Sequence, residues 1–272
     1  MRWKTLAEPR AAAAATVGGL ALDRVPAILM YHNIAEVAAD PMDLCVAPTR
    51  FAEQMSWLKT QGLRGVGIGT LIDAMRAGRE RGLVGITFDD GYASVLEAAV
   101  PELLSHGFTA TMFIISDRVG GSNEWCEGQA QPLMSAEQVG ELAAAGMEVG
   151  SHAATHTRLA GVGADQLEAE VSGSRASIGE LTAAPVRGFA YPYGSMDPAA
   201  KRAVRGAGYD YACATEPPMA ELGIMALPRI GVSQRDGSRR LAAKRLILTG
   251  GPRRFAAKRL VFRGYSAVKG RL

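Results

Sequence analysis

The stretch Ile86-Thr87-Phe88-Asp89-Asp90-Gly91-Tyr92 decides the fold and the chemistry that we expect of this chain. An apolar run from Leu83 to Phe88 has the composition of a buried strand and stops at two adjacent carboxylates. Gly91 then permits a sharp turn. Enzymes built from parallel strands place reactive groups at the C-terminal strand ends, so we expect Asp89 and Asp90 in an active site. Successive strand side chains point to opposite faces, so the two aspartates need not share one role.

Around this stretch, strand-like and helix-like segments alternate about seven times. This alternation predicts a parallel sheet covered by helices, either closed as a barrel or open as a doubly wound sheet. The chain has 272 residues, of which 48% are hydrophobic, enough for one large α/β domain with a sizeable core. No glycine-rich motif for phosphate or dinucleotide binding follows a predicted strand. The composition excludes a disordered protein.

The positive charge of the chain is concentrated at its C-terminal end. The net charge is +3, whereas residues 235–272 contain twelve Lys and Arg residues against a single acid, Asp236. A basic segment interleaved with apolar residues is typical of binding to an anionic surface. We expect a peripheral contact with an anionic membrane, and no specific nucleic acid partner. The predicted organisation is an N-terminal extension (1–24), a catalytic domain (25–234) and a basic C-terminal tail (235–272).

The N-terminal segment is a poor match to a signal peptide. Residues 11–22 are apolar, but Glu8 and Pro9 precede them and no convincing cleavage site follows. We therefore expect a loosely ordered extension, and a location that is cytoplasmic or peripheral to the membrane. The three cysteines are widely spaced and offer no disulfide framework, which agrees with a reducing compartment.

Two histidines four residues apart follow another predicted strand, in Ser151-His152-Ala153-Ala154-Thr155-His156. Two neutral imidazoles and one carboxylate make a three-ligand site with open positions, which is typical of catalytic zinc. The second carboxylate is then available as a general base. The structural alternatives are a helix N-cap for the aspartates and a hydrogen-bonded core histidine. An Fe(II) oxygenase uses the same ligands, but its usual jelly-roll of strands disagrees with the alternating pattern.

Three motifs, in family order, resemble those of the polysaccharide deacetylases of carbohydrate esterase family 4. They are Thr87-Phe88-Asp89-Asp90-Gly91, Ser151-His152-Ala153-Ala154-Thr155-His156 and Phe189-Ala190-Tyr191-Pro192-Tyr193-Gly194. The resemblance covers roughly residues 27–232. It implies a distorted, TIM-like (β/α)7 barrel. It also implies a hydrolase that removes N-acetyl groups from amino sugars of a polysaccharide or glycan precursor and releases acetate.

The resemblance also implies roles for individual residues. Asp89 is the implied general base, and Asp90, His152 and His156 are the implied ligands of a divalent metal, most often Zn²⁺. The backbone N–H of Tyr193 is the implied donor to the oxyanion of the tetrahedral intermediate.

Other residues are candidates for contact with an N-acetylated glycan substrate. Tyr191, Pro192 and Tyr193 belong to the third motif, and Arg187 lies just before it. Trp125, in the loop after the fourth predicted strand, could stack on a sugar ring, with simple burial as the alternative.

The chain departs from the family pattern at three places, one of which is the family's late tryptophan-bearing motif, which has no clear counterpart here. Ala190 stands where the third motif commonly carries an arginine that orients the catalytic aspartate, and Arg187 is the candidate substitute. Leu227-Pro228-Arg229 stands where the family carries leucine-x-histidine, the usual general acid. First and last strands of a closed barrel are neighbours, so we predict that His32, after the first strand, is the general acid. A branch resembling the biofilm-polysaccharide deacetylases opens with such a Tyr-His element.

Two other functions stay open at this point. The same metal and base can cleave the O-acetyl ester of a carbohydrate. The missing arginine and late histidine would also fit a glycan-binding pseudoenzyme, although a binding module has no need for Asp89.

Overall fold

The computed structural model describes residues 26–125, 130–215, 217–218 and 221–249, together with the backbone of 16–17 and 20–21. Thr16–Val17 and Leu20–Ala21 form a short antiparallel pair. The rest of the predicted N-terminal extension and the basic tail beyond residue 249 lie outside the described residues, as does Cys126.

The fold is built on a ring of parallel strands. The main sheet contains Ile28–Tyr31 (β1), Arg64–Val66 (β2), Leu83–Phe88 (β3), Thr111–Ile114 (β4), Glu148–Ser151 (β5), Gly188–Ala190 (β6), Tyr211–Thr215 (β7) and Leu227–Gly231 (β8). Strand β1 pairs with β8 on one side and with β3 on the other. Seven strands, all but β2, therefore close into a barrel, which confirms the predicted (β/α)7 architecture over the open sheet.

The remaining strand, β2, distorts the barrel. It pairs with the first half of β3, where Val66 lies opposite Gly85. The carbonyl of Gly65 also accepts a hydrogen bond from the N–H of Thr109, just before β4. Strand β2 therefore lies between the start of β3 and the segment just before β4, and β3 and β4 pair directly only where Thr87 and Phe88, at the end of β3, lie opposite Thr111 and Met112, at the start of β4.

Helices cover the outside of the barrel. They are Pro48–Thr60 (α1), Ile68–Arg76 (α2), Val100–Ser105 (α3), Ala136–Ala144 (α4), Ala164–Glu168 (α5), Ser174–Thr182 (α6), Pro198–Gly206 (α7) and Ser238–Thr249 (α8). Single π-helical turns, Val95–Ala99 and Ala169–Gly173, precede α3 and α6. Among the described helices, none combines the length and apolarity needed to span a bilayer.

Helix α8 fixes the first part of the basic tail to the barrel. Leu241 is buried, and the Nζ of Lys244 donates a hydrogen bond to the carbonyl of Gly231 at 2.7 Å. Lys244 also forms an ion pair with the buried Asp236. The folded part of the described chain therefore extends beyond residue 234.

Parallel strands bring their C-terminal ends to one mouth of the barrel. His32 follows β1, Asp89 and Asp90 follow β3, His152 follows β5, and Tyr191 follows β6. The topology alone therefore gathers residues that are up to 159 positions apart in the sequence around one opening.

Candidate active site

Asp89 and Asp90 lie in the turn after β3, and each is only 3% exposed. The N–H of Asp89 continues the strand pairing by donating to the carbonyl of Tyr31. Asp90 and Gly91 instead adopt left-handed backbone, with φ of 73° and 79°. This conformation is unfavourable for a residue with a side chain, and it breaks the alternation of the strand. The two neighbouring carboxylates therefore reach different partners.

Asp90, His152 and His156 form the group of side chains that can hold a cation. The Oδ1 atom of Asp90 lies 3.4 Å from the Nε2 atom of each histidine. One ligand atom from each of the three buried residues lies within 4.8 Å of the others. A tetrahedral zinc ion with bonds of about 2.0–2.2 Å holds its ligands about 3.3–3.5 Å apart. The donor set and its spacing therefore fit a divalent cation such as Zn²⁺.

Both imidazole rings are oriented through their other nitrogen atom. The Nδ1 of His152 lies 2.7 Å from the carbonyl oxygen of Ala190, and the Nδ1 of His156 lies 3.1 Å from the hydroxyl of Tyr193. With Nδ1 occupied by a hydrogen bond, the Nε2 atom of each ring lies beside Asp90, where it could bind a cation. Burial lowers the pKa of His152 to about 4, so this ring is neutral at pH 7, as a metal ligand must be.

A buried carboxylate holds the loop between the two histidines. Ala153 and His156 have left-handed backbone, with φ of 65° and 71°. Oε2 of Glu170, in the π-helical turn before α6, accepts hydrogen bonds from the N–H groups of Ala154 and Thr155, both at 2.9 Å. Glu170 thus compensates for the strained loop that presents His156. No sequence pattern indicates this role, because Glu170 looks like an ordinary polar residue of a helix.

Asp89 is held by a buried arginine. In β8, the Nη1 and Nη2 atoms of Arg229 donate to Oδ1 and Oδ2 of Asp89 at 2.5 and 2.7 Å, and Nη1 also donates to the hydroxyl of Thr87. Burial by itself raises the pKa of Asp89, but the charge and hydrogen bonds of Arg229 lower the pKa of Asp89 overall. Asp89 is therefore ionised at neutral pH and fixed by a bidentate contact.

Arg229, and not Arg187, takes the place of the arginine expected in the third motif. Arg187 precedes β6 and so lies at the end of the barrel opposite the mouth. Its guanidinium pairs with Asp73 at 2.9 Å and Asp210 at 2.8 Å, on a partly exposed surface. The expectation that Arg187 reaches Asp89 is thus corrected: being three residues before Ala190 places it at the wrong end of a short strand.

His32 lies where its strand order predicts. Because β1 pairs with both β8 and β3, the residue after β1 faces the residue after β3. The Nε2 of His32 is 4.0 Å from Oδ2 of Asp89, and both side chains are buried. Oδ2 of Asp89 is also 3.9 Å from Nε2 of His152. Asp89 therefore lies between the candidate metal ligands and His32.

A cavity of about 340 Å³ opens above these groups. Its walls include Trp125, Tyr191 and Tyr193, so these three predicted substrate-site residues are brought together. The ring of Trp125 lies 4.7 Å from that of His156. The hydroxyl of Tyr191 donates to the carbonyl of Met225 at 3.1 Å, so its ring forms a wall while its hydroxyl points elsewhere.

The described residues that line the cavity do not include Pro192. It is buried at the start of the 3₁₀ turn Pro192–Gly194, within which Tyr193 has a left-handed φ of 56°. Pro192 therefore shapes the turn that places Tyr193 over His156, rather than contacting a ligand itself.

The comparisons with known proteins agree with this geometry. The model of the family described as polysaccharide deacetylase matches residues 76–212, half of the chain. YxkH of Bacillus subtilis (strain 168), whose name places it among the polysaccharide deacetylases, is 29% identical over 211 residues, 76% of this chain and 71% of YxkH. Poly-beta-1,6-N-acetyl-D-glucosamine N-deacetylase of Escherichia coli (strain K12) is 35% identical over 78 residues, 28% of this chain and 12% of that protein.

A solved structure shares the fold. The Streptococcus pyogenes deacetylase PplD, solved in complex with acetate, superimposes with a TM-score of 0.70 over 81% of this chain and 98% of its own. The two sequences are 21% identical, so this likeness concerns the fold alone. It confirms the barrel architecture that the strand pairing shows.

The first prediction concerns metal content. After loading with Zn²⁺ and dialysis, we expect the intact protein to retain about one zinc ion per chain by elemental analysis. His152→Ala removes one of the three ligands and should lower the affinity for zinc at least about tenfold. Even the residues that only hydrogen-bond to metal ligands contribute that much. His106→Ala is the matched control, because His106 pairs with Glu102 on α3, outside the site. Equal zinc retention in both folded variants would contradict the assigned ligands.

Proposed function

This chain belongs to the polysaccharide deacetylase family, and we propose that it is a metal-dependent hydrolase that removes N-acetyl groups from the amino sugars of a glycan and releases acetate. The observation that carries the proposal is the pairing of two buried carboxylates with separate tasks. Asp90 faces two imidazoles with the spacing of a cation site, while Asp89 is held ionised by Arg229. Metal-assisted hydrolysis of an amide uses a Lewis acid and a base at the same carbonyl, and these two carboxylates would serve one task each.

The donor set favours zinc as the cation. Two imidazole nitrogens and one carboxylate oxygen form a three-ligand catalytic zinc site, which leaves room for water and substrate. When bound, such a cation supplies Lewis-acid chemistry: it polarises the acetyl carbonyl and lowers the pKa of the attacking water, so that even a carboxylate of lowered pKa suffices as the base.

Asp89 is the proposed base for the attacking water. Asp89 lies between the candidate metal ligands and His32. From this position it can receive the proton of a water molecule that stands next to the metal site. Arg229 holds both carboxylate oxygens, which restricts the rotation of Asp89 and keeps it charged. Fixed orientation and charge are what a general base in a buried site requires.

His32 is the proposed acid for the leaving amine. The nitrogen that leaves the acetyl carbon must take up a proton as the amide bond breaks, and histidine is the side chain that most often transfers such a proton. His32 lines the same cavity as Asp89. The backbone N–H of Tyr193, in the turn beside His156, is the proposed donor to the negative oxygen that forms during attack.

A polymer of N-acetylglucosamine is the proposed substrate class. The Escherichia coli relative is named for poly-beta-1,6-N-acetyl-D-glucosamine, although the match covers 28% of this chain. The aromatic walls of the cavity suit a sugar ring, whose axial C–H bonds pack well on aromatic faces.

The second prediction tests this function through acetate release. With Zn²⁺ present, we expect release from β-1,6-linked N-acetylglucosamine oligomers, its loss after chelation and its return after zinc is added back. Asp89→Asn and His32→Ala should each lower kcat by at least about 100-fold, the usual contribution of a general base or acid. His106→Ala again serves as the control. Acetate is measured by an enzyme-coupled assay.

The outcomes separate the alternatives. Release that survives His32→Ala would assign the acid to another group. Release from O-acetylated but not from N-acetylated glycans would favour an ester hydrolase. Zinc binding and glycan binding with no release from either substrate would overturn the hydrolase and favour a binding protein.

We further propose that the basic tail attaches the enzyme to an anionic membrane. Arg239, Arg240 and Leu246 are exposed on α8, which gives this helix a mixed basic and apolar surface. Seven more basic residues follow in 250–272. Each basic residue near an anionic membrane contributes about 1 kcal/mol of attraction.

The third prediction tests this attachment. A protein that ends at residue 249 keeps the contacts of Leu241 and Lys244 and should still fold. We expect it to bind phosphatidylserine-containing vesicles at least about tenfold more weakly than the full chain in a sedimentation assay at low salt. Equal binding of the two proteins would overturn the proposal.

A further inference from the structure

A chain of buried polar side chains lies behind the groups proposed for proton transfer and takes no part in the chemistry described above. This α8 network consists of Tyr31 in β1, Gln54 in α1, Asp236 in the loop after β8 and Lys244 in α8. None of the four residues is more than 9% exposed. The α8 network therefore connects the barrel to a helix that lies within the predicted basic tail.

Each member of the α8 network is hydrogen-bonded to the next part of it. The hydroxyl of Tyr31 donates to Oε1 of Gln54 at 3.0 Å, and Nε2 of Gln54 donates to the carbonyl of Asp236 at 2.8 Å. Oδ2 of Asp236 pairs with Lys244, whose Nζ also donates to the carbonyl of Gly231 at 2.7 Å. A connected polar network of this kind holds its members in one arrangement.

The ion pair at one end of the α8 network needs an explanation. Both Asp236 and Lys244 are buried, so both charges lose most of their contact with water. Buried ion pairs can often be replaced by apolar side chains with no loss of stability. The stability of the fold therefore gives little reason for this pair, whereas a requirement for a fixed position gives a better one.

Tyr31 connects the α8 network to the groups proposed for proton transfer. It directly precedes His32, and in the pairing of β1 with β3 it lies opposite Phe88, which precedes Asp89. The rings of Tyr31 and Phe88 stack with their centroids 5.4 Å apart, and both pack on Phe51 of α1. Successive strand residues face opposite sides, so these rings lie outside the barrel and the residues that follow them face its mouth. The position of the Tyr31 ring is therefore coupled to the distance between His32 and Asp89.

The α8 network also holds the end of β8, the strand that carries Arg229. Lys244 binds the carbonyl of Gly231, two residues after Arg229. The N–H of Val232 donates to the carbonyl of Met30 at 2.8 Å, which joins this end of β8 to β1. The residues after β1 and the arginine in β8 thus share one support.

We propose that the α8 network positions His32 relative to Asp89, so that α8 belongs to the catalytic unit. The inference rests on the proposed function, because that function gives the two groups their tasks. The described residues that line the active-site cavity include no member of the α8 network, so its members act through other residues and not on the substrate. Because Arg229 already fixes Asp89, the contribution of the α8 network falls on His32.

The fourth prediction concerns the hydroxyl of Tyr31. Tyr31→Phe keeps the stacked ring but removes the hydrogen bond to Gln54, and it should lower kcat for acetate release about tenfold because the proton-transfer groups lose their fixed geometry. Zinc retention and KM should stay within about twofold, since the metal ligands and the cavity walls are unchanged. Tyr209→Phe is the matched control and should retain kcat. The buried hydroxyl of Tyr209 donates to the carbonyl of Val171 at 3.0 Å, before β7 and so at the end of the barrel opposite the mouth.

A double-mutant cycle and a second variant separate positioning from a general loss of structure. In the His32→Ala background, Tyr31→Phe should lower kcat by less than about twofold, because the group that Tyr31 positions is gone. Asp236→Asn combined with Lys244→Met removes the ion pair without leaving one buried charge unpaired. This second variant should lower kcat as Tyr31→Phe does.

Hydrogen exchange followed by NMR tests the same link without turnover. The N–H of Asp89 donates to the carbonyl of Tyr31 at 3.0 Å, whereas the N–H of Glu148, at the start of β5, donates to the carbonyl of Ala110 at 3.0 Å. Tyr31→Phe should raise the exchange rate at Asp89 about tenfold and leave the rate at Glu148 unchanged, because the opening is local.

The proposal is overturned if Tyr31→Phe and the Asp236–Lys244 variant both retain kcat, or if Tyr31→Phe lowers kcat by the same factor with and without His32. Unchanged exchange at Asp89 would overturn it as well. Faster exchange at Asp89 in a protein that releases no acetate would contradict the proposed hydrolysis and support the link between the α8 network and the strand ends.

Discussion

The buried ion pair between Arg229 and Asp89 is the interaction on which the site depends. Arg229 is fully buried in β8, and it crosses β1 inside the barrel to reach the end of β3. Burying two charges is costly unless they are paired with good geometry, and removing one partner of such a pair typically costs about 3–5 kcal/mol. Burial alone lowers the pKa of Arg229, but the charge of Asp89 raises it overall. Each side chain therefore keeps the other charged in an interior that would otherwise neutralise it.

The pair also explains why this barrel tolerates changes that the family pattern would forbid. An arginine in the third motif would approach Asp89 from β6, whereas here Ala190 offers only its carbonyl, which orients His152. The guanidinium comes instead from the last strand, and the predicted acid comes from the residue after the first strand. Because β8 and β1 are neighbours, both groups still reach Asp89. Ring closure thus allows functional groups to be redistributed along the sequence while their positions in space are kept.

Much of the site could be predicted from the sequence, for definite physical reasons. The run Leu83 to Phe88 has the predicted bounds of β3, and His152 follows β5 as expected, because apolar strands that end in polar residues are strong local signals. The left-handed conformations of Asp90, Ala153 and His156 left no such signal, since they depend on support from elsewhere, such as Glu170. The role of Arg229, in contrast, could be inferred from the sequence. An arginine within the strand Leu227–Gly231 needs a carboxylate partner if that strand is buried, and this requirement points to Asp89 more directly than proximity to the third motif pointed to Arg187.

The most direct test of this account is a double-mutant cycle on kcat/KM for acetate release, with Arg229→Met, Asp89→Asn and the double variant compared with the unaltered protein. If Arg229 acts by holding and charging Asp89, each single substitution lowers kcat/KM by about 100-fold or more, and Arg229→Met adds little once Asp89 is already Asn. The account is contradicted if Arg229→Met lowers kcat/KM by the same factor in both backgrounds, because Arg229 would then act independently of Asp89.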